Sequence, residues 1–247
     1  MSKGMPRWAD LFLVPAINVV LAFFVAGLVV LFIGENPIRA LQIMLEGALG
    51  SDSGLGYTLF YTTSFIFTGL AVAIAFHASI FNIGGEGQAG VAGVGVALVC
   101  LTMDQTHWLL ALPLAVIGAM AFGAGWAAVP AYLQAKRGSH IVITTIMFNY
   151  IAAALLIYLL NNYLKVDGAM ALETRRFAEG AQIPSMQDIA GWFGFEIARS
   201  PMNLSFFLAL GASFLVWLII WRSRLGYEIR AFGFSEKAAV YAGISPF

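Results

Sequence analysis

The sequence predicts an all-α, polytopic membrane protein, a bundle of about six transmembrane helices with a polar, re-entrant-like hairpin and short cytoplasmic helices near its C-terminal end. Composition supports this class, because 60% of the 247 residues are hydrophobic and only 11% are charged, whereas a soluble domain is about half apolar and about a quarter charged. Apolar runs also approach the ~20 residues that a helix needs to cross a membrane. None of the runs alternates as a β-barrel strand does.

Six apolar runs are predicted to span the membrane. They lie at residues 11–33, 57–76, 88–103, 108–129, 140–160 and 203–221. The first run exceeds the length of a signal-peptide core and no small-residue cleavage site follows it, so we interpret it as a retained span. The third run is short, which indicates that residues 84–88 continue into the membrane, either as irregular backbone or as the start of a helix.

Lysine and arginine are biased towards one side of these spans. With the N-terminus inside, the inner segments hold eight of them, from Lys3 and Arg7 onwards, and the outer segments hold five. Since the cytoplasmic side carries the excess, both termini are predicted to be cytoplasmic. Residues 34–56 and 161–202 then form extracytoplasmic loops, and residues 222–247 form a cytoplasmic segment. Apolar residues recur at near-helical spacing from Met186 to Ile197, which fits either a helix on the membrane surface or a folded cap over the bundle.

The sequence lacks the motifs of catalysis and cofactor binding. It contains no G-x-x-x-x-G-K-[ST] phosphate loop, no H-E-x-x-H and no G-x-S-x-G. Its zero net charge gives no reason to expect nucleic-acid binding, and the single Cys100 forms no disulfide framework or cysteine metal site. We therefore expect no enzyme activity, no metal and no cofactor in this chain.

Polar residues and glycines are concentrated in one hairpin, Phe81-Asn82-Ile83-Gly84-Gly85-Glu86-Gly87-Gln88. Polar groups and irregular backbone are costly near lipid, so the hairpin is a candidate functional site. It is either a polar turn with a solvated Glu86 and a capping Gln88, or a broken helix that lines a translocation path. Asn149, near the middle of the fifth span, either bonds to a neighbouring helix or lines a cavity.

Two further patterns predict local structure. Small residues recur every fourth position at Gly85, Ala89, Gly93 and Ala97 and at Ala115, Ala119 and Gly123, which predicts close approach of helices. In the C-terminal segment, Ser235 can begin a helix of about two turns that ends at Gly243, with Pro246 after it. Gly226 and Gly233 are expected to break the preceding stretch, so that two short helices meet at an angle. Such a short helix must pack on something and suits docking to a soluble partner.

Three segments together resemble one family. FNIGGEGQ after a span, TTIMFNYIA in the fifth span and EIRAFGFSEKAAVYAGIS after the sixth resemble the membrane subunits of bacterial ABC importers, in the branched-chain amino acid and simple-sugar permease group and most closely its nucleoside-type members. The resemblance runs from about Arg7 to the end of the chain. It implies a subunit of an ATP-driven importer in the bacterial inner membrane, which forms part of the path for a small polar solute, nucleoside or sugar-like.

The resemblance also implies partners and residue roles. The partners are membrane lipid, cytoplasmic ATPase subunits that hydrolyse the ATP, a second permease subunit and an extracytoplasmic solute-binding protein. The residues expected on or beside the translocation path are Asn82, Gly84, Glu86, Gly87, Gln88 and Asn149. The residues expected in the ATPase-coupling segment are Glu228, Arg230, Gly233, Ala238, Ala239 and Gly243. Permeases of this family continue with further spans, so residues 1–247 are interpreted as one transmembrane permease domain, the N-terminal portion or a truncated product of a longer permease.

Other functions stay open on the sequence alone. An ion- or proton-coupled secondary transporter would use Glu86 and Asp104 as its ion sites, but the inverted repeats of such carriers are not found in the six spans. A membrane scaffold without transport is the third possibility. Trp126, Phe148 and Tyr150 could stack on a nucleoside or could serve packing, and the sequence does not separate nucleoside, purine base and sugar as substrates.

Overall fold

A computed structural model of the chain describes Pro6, residues 8–103 and residues 106–245, except for the side chain at position 10. Lys3, Arg7, Asp104 and Pro246, which enter the sequence analysis, lie outside the described residues. Within these residues the chain is helical and contains no strand beyond two isolated antiparallel bridges, Lys165–Thr174 and Ser185–Asn203. The prediction of an all-α fold is confirmed.

Ten α-helices occur among the described residues. They are α1 Val14–Phe32, α2 Pro37–Leu49, α3 Asp52–His77, α4 Gly85–Met103, α5 Trp108–Arg137, α6 Ile141–Leu159, α7 Met186–Trp192, α8 Ser205–Arg222, α9 Arg224–Phe234 and α10 Glu236–Tyr241. Single π-helical turns precede α1 at Ala9–Leu13 and extend α6 at Leu160–Leu164.

Six of these helices are long and apolar enough to cross a membrane. They are Leu11–Phe32, Asp52–His77, Gly85–Met103, Trp108–Arg137, Ile141–Leu164 and Ser205–Arg222. The third starts as a regular helix at Gly85, which is the second alternative given by the sequence. The fourth continues beyond the predicted residue 129 through Pro130, because neighbouring groups in a bundle can satisfy the backbone that a proline frees. It ends where Gly138 adopts a left-handed conformation with φ 66°. The chain is a multi-pass membrane protein.

Contacts divide the chain into two compact units, residues 1–58 with 197–200 and residues 59–196 with 201–247. The first unit contains α1 and α2. Helix α2 lies within residues 34–56, which were expected to form a loop. The Asn36 side chain caps this helix by accepting hydrogen bonds from the N–H groups of Ile38 and Arg39, at 2.9 Å and 3.3 Å. Asparagine at the N-cap followed by proline is a strong helix-start signal.

The second unit is built on close packing of α4 against α5. Gly95 and Gly118 bring the two backbones together, since a Cβ on either glycine would overlap the carbonyl oxygen of the other. On α4, no described residue approaches the predicted small-residue stripe at Gly85 and Gly93, where a Cβ would meet open space. The buried face of α4 is the one that carries Gly87, Val91 and Gly95. On α5 the prediction holds at Gly123, where a Cβ would lie 3.3 Å from that of Ala92.

The long segment between α6 and α8 holds a 3₁₀ turn at Glu179–Ala181 and the short helix α7. Ser185 and Asp188 form a capping box at the start of α7, and the hydrogen bonds from the Ser185 hydroxyl and N–H hold the pKa of the Asp188 carboxyl below its usual value. The helix ends at Trp192, and Gly194 turns the chain with φ 79°. Ile197 therefore lies outside the helix that the spacing predicted.

Candidate functional site

The polar hairpin connects α3 to α4 through residues 78–84, which are not helical. The Asn82 side chain organises this connection, since its Oδ1 accepts a hydrogen bond from the Gly84 N–H at 2.8 Å. The same side chain pairs with Gln88, donating to Oε1 at 3.2 Å and accepting from Nε2 at 3.4 Å. The two side-chain amides of the hairpin are thus bonded to each other across the start of α4, and the Gln88 side chain makes no capping bond to the backbone among the described residues.

Asn149 of α6 inserts its amide into the first step of α4. Its Oδ1 accepts a hydrogen bond from the Gly87 N–H, and its Nδ2 donates one to the Ile83 carbonyl, both at 2.9 Å. In an uninterrupted α-helix, the N–H of residue 87 would bond directly to the carbonyl of residue 83. The side chain therefore bridges a hydrogen-bond step that the backbone leaves open.

Thr145 lies one helical turn before Asn149 and extends the same attachment. Its hydroxyl accepts a hydrogen bond from the Ile83 N–H at 3.3 Å and donates within α6 to the Ile141 carbonyl at 2.8 Å. The residue is 1% exposed. The sequence analysis did not name Thr145, although its place four residues before Asn149 puts both on one helix face. We call Thr145 and Asn149 together the α6 clamp.

Glycines make the approach of the hairpin to α6 possible. A Cβ on Gly84 would lie 3.1 Å from the Cβ of Thr145, and a Cβ on Gly87 would lie 2.9 Å from Oδ1 of Asn149. A Cβ on Gly90 would lie 2.7 Å from the side chain of Leu156. The clash at Gly87 is the most severe, because the Asn149 backbone also lies 3.0 Å from the added Cβ, whereas Thr145 and the end of the Leu156 side chain could shift slightly at the other two positions. A side chain at Gly87 would therefore push α4 away from Asn149.

Glu86 differs from the other polar residues of the hairpin. It is exposed and lies roughly 100° around the α4 axis from the buried Gly87, beside the exposed Gly85, Ala89 and Gly93. Its carboxylate has no hydrogen-bond or ion-pair partner among the described residues. Its position in the first turn of α4 is favourable, because the amino end of a helix carries partial positive charge.

The C-terminal segment forms the two predicted short helices, but they meet elsewhere. Gly226 and Gly233 lie inside α9, and the break falls at Ser235, whose hydroxyl caps α10 by accepting from the Ala238 N–H at 3.3 Å. The expectation that the two glycines break the stretch is wrong. They serve close packing instead, because a Cβ on Gly226 would overlap carbonyl oxygens at the end of α8. Gly243 ends α10 with φ 84°, as predicted.

The remaining residues of the predicted coupling segment are distributed over both helices. Glu228 forms an ion pair with Arg224 at 2.9 Å, one turn apart on α9. Ala239 is buried and Ala238 is exposed on α10. Phe234 and Tyr241 are 91% and 96% exposed, so the segment presents aromatic side chains that nothing in the described part of the chain covers.

The structure brings the hairpin and the C-terminal segment into contact. The Ser79 hydroxyl donates a hydrogen bond to the Gly233 carbonyl at 2.7 Å, and a Cβ on Gly233 would overlap the His77 carbonyl oxygen. Beside this contact, the Arg230 guanidinium lies 4.6 Å from the centre of the Trp221 ring, and His77 meets the same ring edge-on at 5.9 Å. A cavity of about 300 Å³ lies among these side chains. No sequence pattern indicated this contact, which joins residues 154 positions apart.

The aromatic residues considered for stacking are placed differently from one another. Trp126 of α5 and Phe148 of α6 pack edge to face at 5.3 Å, and the buried Nε1 of Trp126 has no partner among the described residues. Tyr150 is 70% exposed. Within the described residues, no three His, Cys, Asp or Glu side chains are grouped as a metal site requires.

Comparison with known proteins gives a consistent result. Residues 54–247 match a protein family described as "Branched-chain amino acid transport system / permease component". The chain is 34% identical over 235 residues to a guanosine ABC transporter permease protein of Bacillus subtilis, covering 94% of this chain and 64% of that protein. It is 32% identical over 236 residues to a nucleoside ABC transporter permease protein of Lactococcus lactis subsp. cremoris, with the same coverages.

A sugar permease is also similar. The chain is 27% identical over 243 residues to a glucose ABC transporter permease protein of Haloferax volcanii, covering 98% of this chain and 63% of that protein. The chain thus spans somewhat less than two thirds of the length of these relatives. No solved structure matches the chain.

Proposed function

The chain belongs to the family of branched-chain amino acid transport system permease components, and we propose that it is a membrane-spanning subunit of an ATP-driven importer. In this role it forms part of the translocation path for a small polar solute. The observation that carries the proposal is the attachment of the C-terminal helices to the polar hairpin through Ser79 and Gly233. An ATP-driven importer needs such a link, because the energy is released outside the membrane and used within it.

Docking of a separate ATPase is supported by the exposed side of α9 and α10. Phe234 and Tyr241 are almost fully exposed, and isolated aromatic side chains of this kind are frequent anchors at protein interfaces. Gly233, Ala239 and Gly243 shape the two helices, while Glu228 and Arg230 set the charge on α9. This assignment places both termini and the coupling segment, residues 222–247, in the cytoplasm of a bacterial cell, with residues 161–202 outside the inner membrane towards a solute-binding protein.

The polar hairpin is proposed to shape the path. Asn82, Gln88 and Asn149 hold the backbone in its irregular course, Gly84 and Gly87 allow α6 to approach, and Glu86 is the side chain that faces away from this attachment. A second permease subunit and the further spans of a longer chain would complete the surroundings of Glu86. The exposed small-residue face of α4 around Gly93 leaves room for a neighbouring helix or a solute.

Nucleosides and sugars are the substrate classes that we propose. Two of the relatives are named for guanosine or nucleoside transport and one for glucose transport. All of these solutes carry hydroxyl groups, and a nucleoside adds an aromatic base that can stack on a ring such as Tyr150. The indole N–H of Trp126, at the contact between α5 and α6, is a hydrogen-bond donor without a partner among the described residues. The ring of Trp126 already packs against Phe148, so it is not free to stack on a base.

The experiment uses the full-length permease, co-expressed with an ABC-type ATPase from the same genome. We expect Phe234→Ala combined with Tyr241→Ala to abolish co-purification of the ATPase, while Tyr163→Ala, a similarly exposed aromatic residue after α6, leaves it intact. Proteoliposomes should then take up labelled guanosine or glucose only with ATP and the solute-binding protein. Normal co-purification of the double variant would contradict the docking surface, and uptake driven by a pH gradient without ATP would contradict the importer class.

A further inference from the structure

We propose that Ser79 and Gly233 are positioning residues that join the coupling segment to the polar hairpin, so that a displacement of α9 moves the Ile83–Gly87 step of α4. The role in transport rests on the proposed function above. The joint itself is a property of this chain and can be tested without any partner. The proposal concerns how movement reaches the hairpin and does not depend on the identity of the solute.

Ser79 has the backbone that marks the joint. Its φ is 56°, the only positive value for a non-glycine residue among the described residues. Residues other than glycine, asparagine and aspartate rarely adopt this conformation, and it persists where the surrounding structure holds it in place. The surroundings here include the 2.7 Å hydrogen bond from the Ser79 hydroxyl to the Gly233 carbonyl. The turn after α3 is thus held in an unfavourable conformation by a bond to α9.

Gly233 provides the second half of the joint. A Cβ at this position would overlap the His77 carbonyl oxygen and lie within 3.2 Å of the Ala78 carbonyl carbon. These are backbone atoms, which cannot rotate away as a side-chain end can. The absence of a side chain at position 233 therefore allows α9 to rest directly on the last residues of α3. Trp221 of α8 supports this contact between α9 and the end of α3, because Arg230 lies over its ring and His77 meets the ring edge-on.

The connection from Ser79 to the α6 clamp is short. Only residues 80–82 separate Ser79 from Ile83, and they are not helical. Ile83 is held on both of its backbone polar groups, since its N–H donates to Thr145 and its carbonyl accepts from Asn149. The hairpin is consequently tied to α9 at one end and to α6 at the other, with little chain between them that could absorb a displacement.

The clamped step admits a second hydrogen-bonding arrangement besides the one present in the structure. In the structure, Asn149 bridges the Ile83 carbonyl and the Gly87 N–H. In a continuous helix these two groups would bond to each other directly, and the Asn149 amide would be released. A two-state element of this kind is what physical coupling between distant sites requires. A pull on Ser79 displaces Ile83 relative to Gly87 and so shifts the balance between the two arrangements.

Hydrogen–deuterium exchange on the purified full chain tests the joint. We expect the amides of Ile83 and Gly87 to exchange about two- to ten-fold faster in Ser79→Ala, the range that corresponds to the loss of one hydrogen bond. Gly233→Ala should have the same effect, and Ser79→Asn should restore protection, because asparagine tolerates this backbone and can donate to the Gly233 carbonyl. Gly211→Ala in α8 is the matched control, since a Cβ there meets open space.

A purely local joint would give a different pattern. Faster exchange confined to residues 224–234, with Ile83 and Gly87 unchanged in Ser79→Ala, would overturn the proposal. Ser79→Ala removes only one oxygen atom, so it serves if Gly233→Ala does not fold.

The assembled transporter supplies the functional measurement. We expect Ser79→Ala to retain the ATPase and hydrolyse ATP while solute imported per ATP falls, and Ser79→Asn to recover that ratio. An unchanged ratio in Ser79→Ala would overturn the proposal even if the importer is confirmed. If no ATPase binds but the hairpin amides respond as described, the joint stands and the importer function fails.

Discussion

Replacement of Asn149 by alanine removes both hydrogen bonds of the side chain to the hairpin. The Gly87 N–H then loses its acceptor and the Ile83 carbonyl loses its donor, each from a contact of 2.9 Å. Gly87 is buried, so water cannot readily replace the lost acceptor. We expect the variant to be destabilised and the start of α4 to become mobile.

The expected loss is about 1–3 kcal/mol. Hydrogen bonds between membrane helices contribute about 0.6 kcal/mol on average and at most about 1.7, and Asn149 makes two of them. Orphaned buried groups alone would cost about 1–3 kcal/mol each. The total stays below that sum because the Gly87 N–H and the Ile83 carbonyl can bond to each other if α4 extends by one step. Thr145→Val removes only one, longer bond to the hairpin, of 3.3 Å, besides the bond of its hydroxyl within α6, and should cost less than about 1 kcal/mol more than its control.

Equilibrium unfolding in mixed micelles measures these differences, and the six tryptophans provide the fluorescence signal. Asn162→Ala is the matched control for Asn149→Ala, because the Asn162 amide bonds only within its own helix, to the Tyr158 carbonyl. Thr144→Val is the matched control for Thr145→Val, since the Thr144 hydroxyl bonds only to the His140 carbonyl, at the start of the same helix. Equal free energies of unfolding for Asn149→Ala and Asn162→Ala would refute the role assigned to the α6 clamp.

Three further outcomes are expected. Gly95→Leu should cost more than about 2 kcal/mol, since overpacking typically costs about 1–3 and backbone atoms of α5 face the site, whereas Gly93→Leu should be nearly neutral in the same unfolding assay. Asp188, whose pKa is lowered chiefly by the Ser185 hydroxyl, should stabilise the start of α7 above the ordinary carboxyl pKa of about 4 and lose this contribution as pH falls below it. Hydrogen exchange in α7, measured between pH 3 and pH 6 and corrected for the intrinsic rate, checks this. Equal protection of α7 in Asp188→Asn and in the unchanged protein at pH 6 would contradict it. Gly243→Ala should destabilise the end of α10 by about 1–2 kcal/mol, because φ is 84° there, and unchanged exchange in α10 would count against it.

The six spans were predictable because their signal is composition over about 20 residues, which a membrane enforces irrespective of tertiary contacts. Short amphipathic elements carry a weaker signal. Helix α2 was assigned to a loop although Asn36 and Pro37 mark its start, since its charged and polar residues, Arg39 and Glu46 among them, resemble those of a solvated loop. Length and apolar content alone do not identify such a helix.

Glycine gave the least reliable predictions, because one residue type serves opposite purposes. Gly243 ends a helix as expected, but Gly226 and Gly233 lie within a helix that they were expected to break. These two glycines are needed because backbone of another helix lies against them, at Ile219 for Gly226 and at His77 for Gly233. His77 is far from Gly233 in the sequence, so local sequence does not reveal the contact. Local propensity disfavours glycine inside a helix by about 1 kcal/mol, and tertiary contact outweighs that preference here.

The same reasoning explains why the spacing of small residues in α4 did not identify the face that packs within this chain. Glycines occur on two of its faces, one with Gly85 and Gly93 and the other with Gly87 and Gly95. Only the second face has α5 and α6 against it, and a single chain's sequence does not state which face that is.

The polar hairpin uses most of its chemistry to hold its own shape. Asn82 and Gln88 bond to each other, and the Gly87 N–H and the Ile83 carbonyl bond to Asn149. A cluster that looks like a ligand site in the sequence is thus largely a set of internal hydrogen bonds, which are needed because the backbone is irregular in an apolar bundle. The Glu86 carboxylate takes part in none of these hydrogen bonds. An uncompensated charge beside lipid is costly, so the exposed carboxylate requires water at the membrane surface, a hydrated path or a further helix beside α4. Glu86→Gln should therefore alter solute uptake with little change in stability, whereas Asn82→Ala should lower stability and uptake together, and the opposite assignment of effects would show that Glu86 is the structural residue.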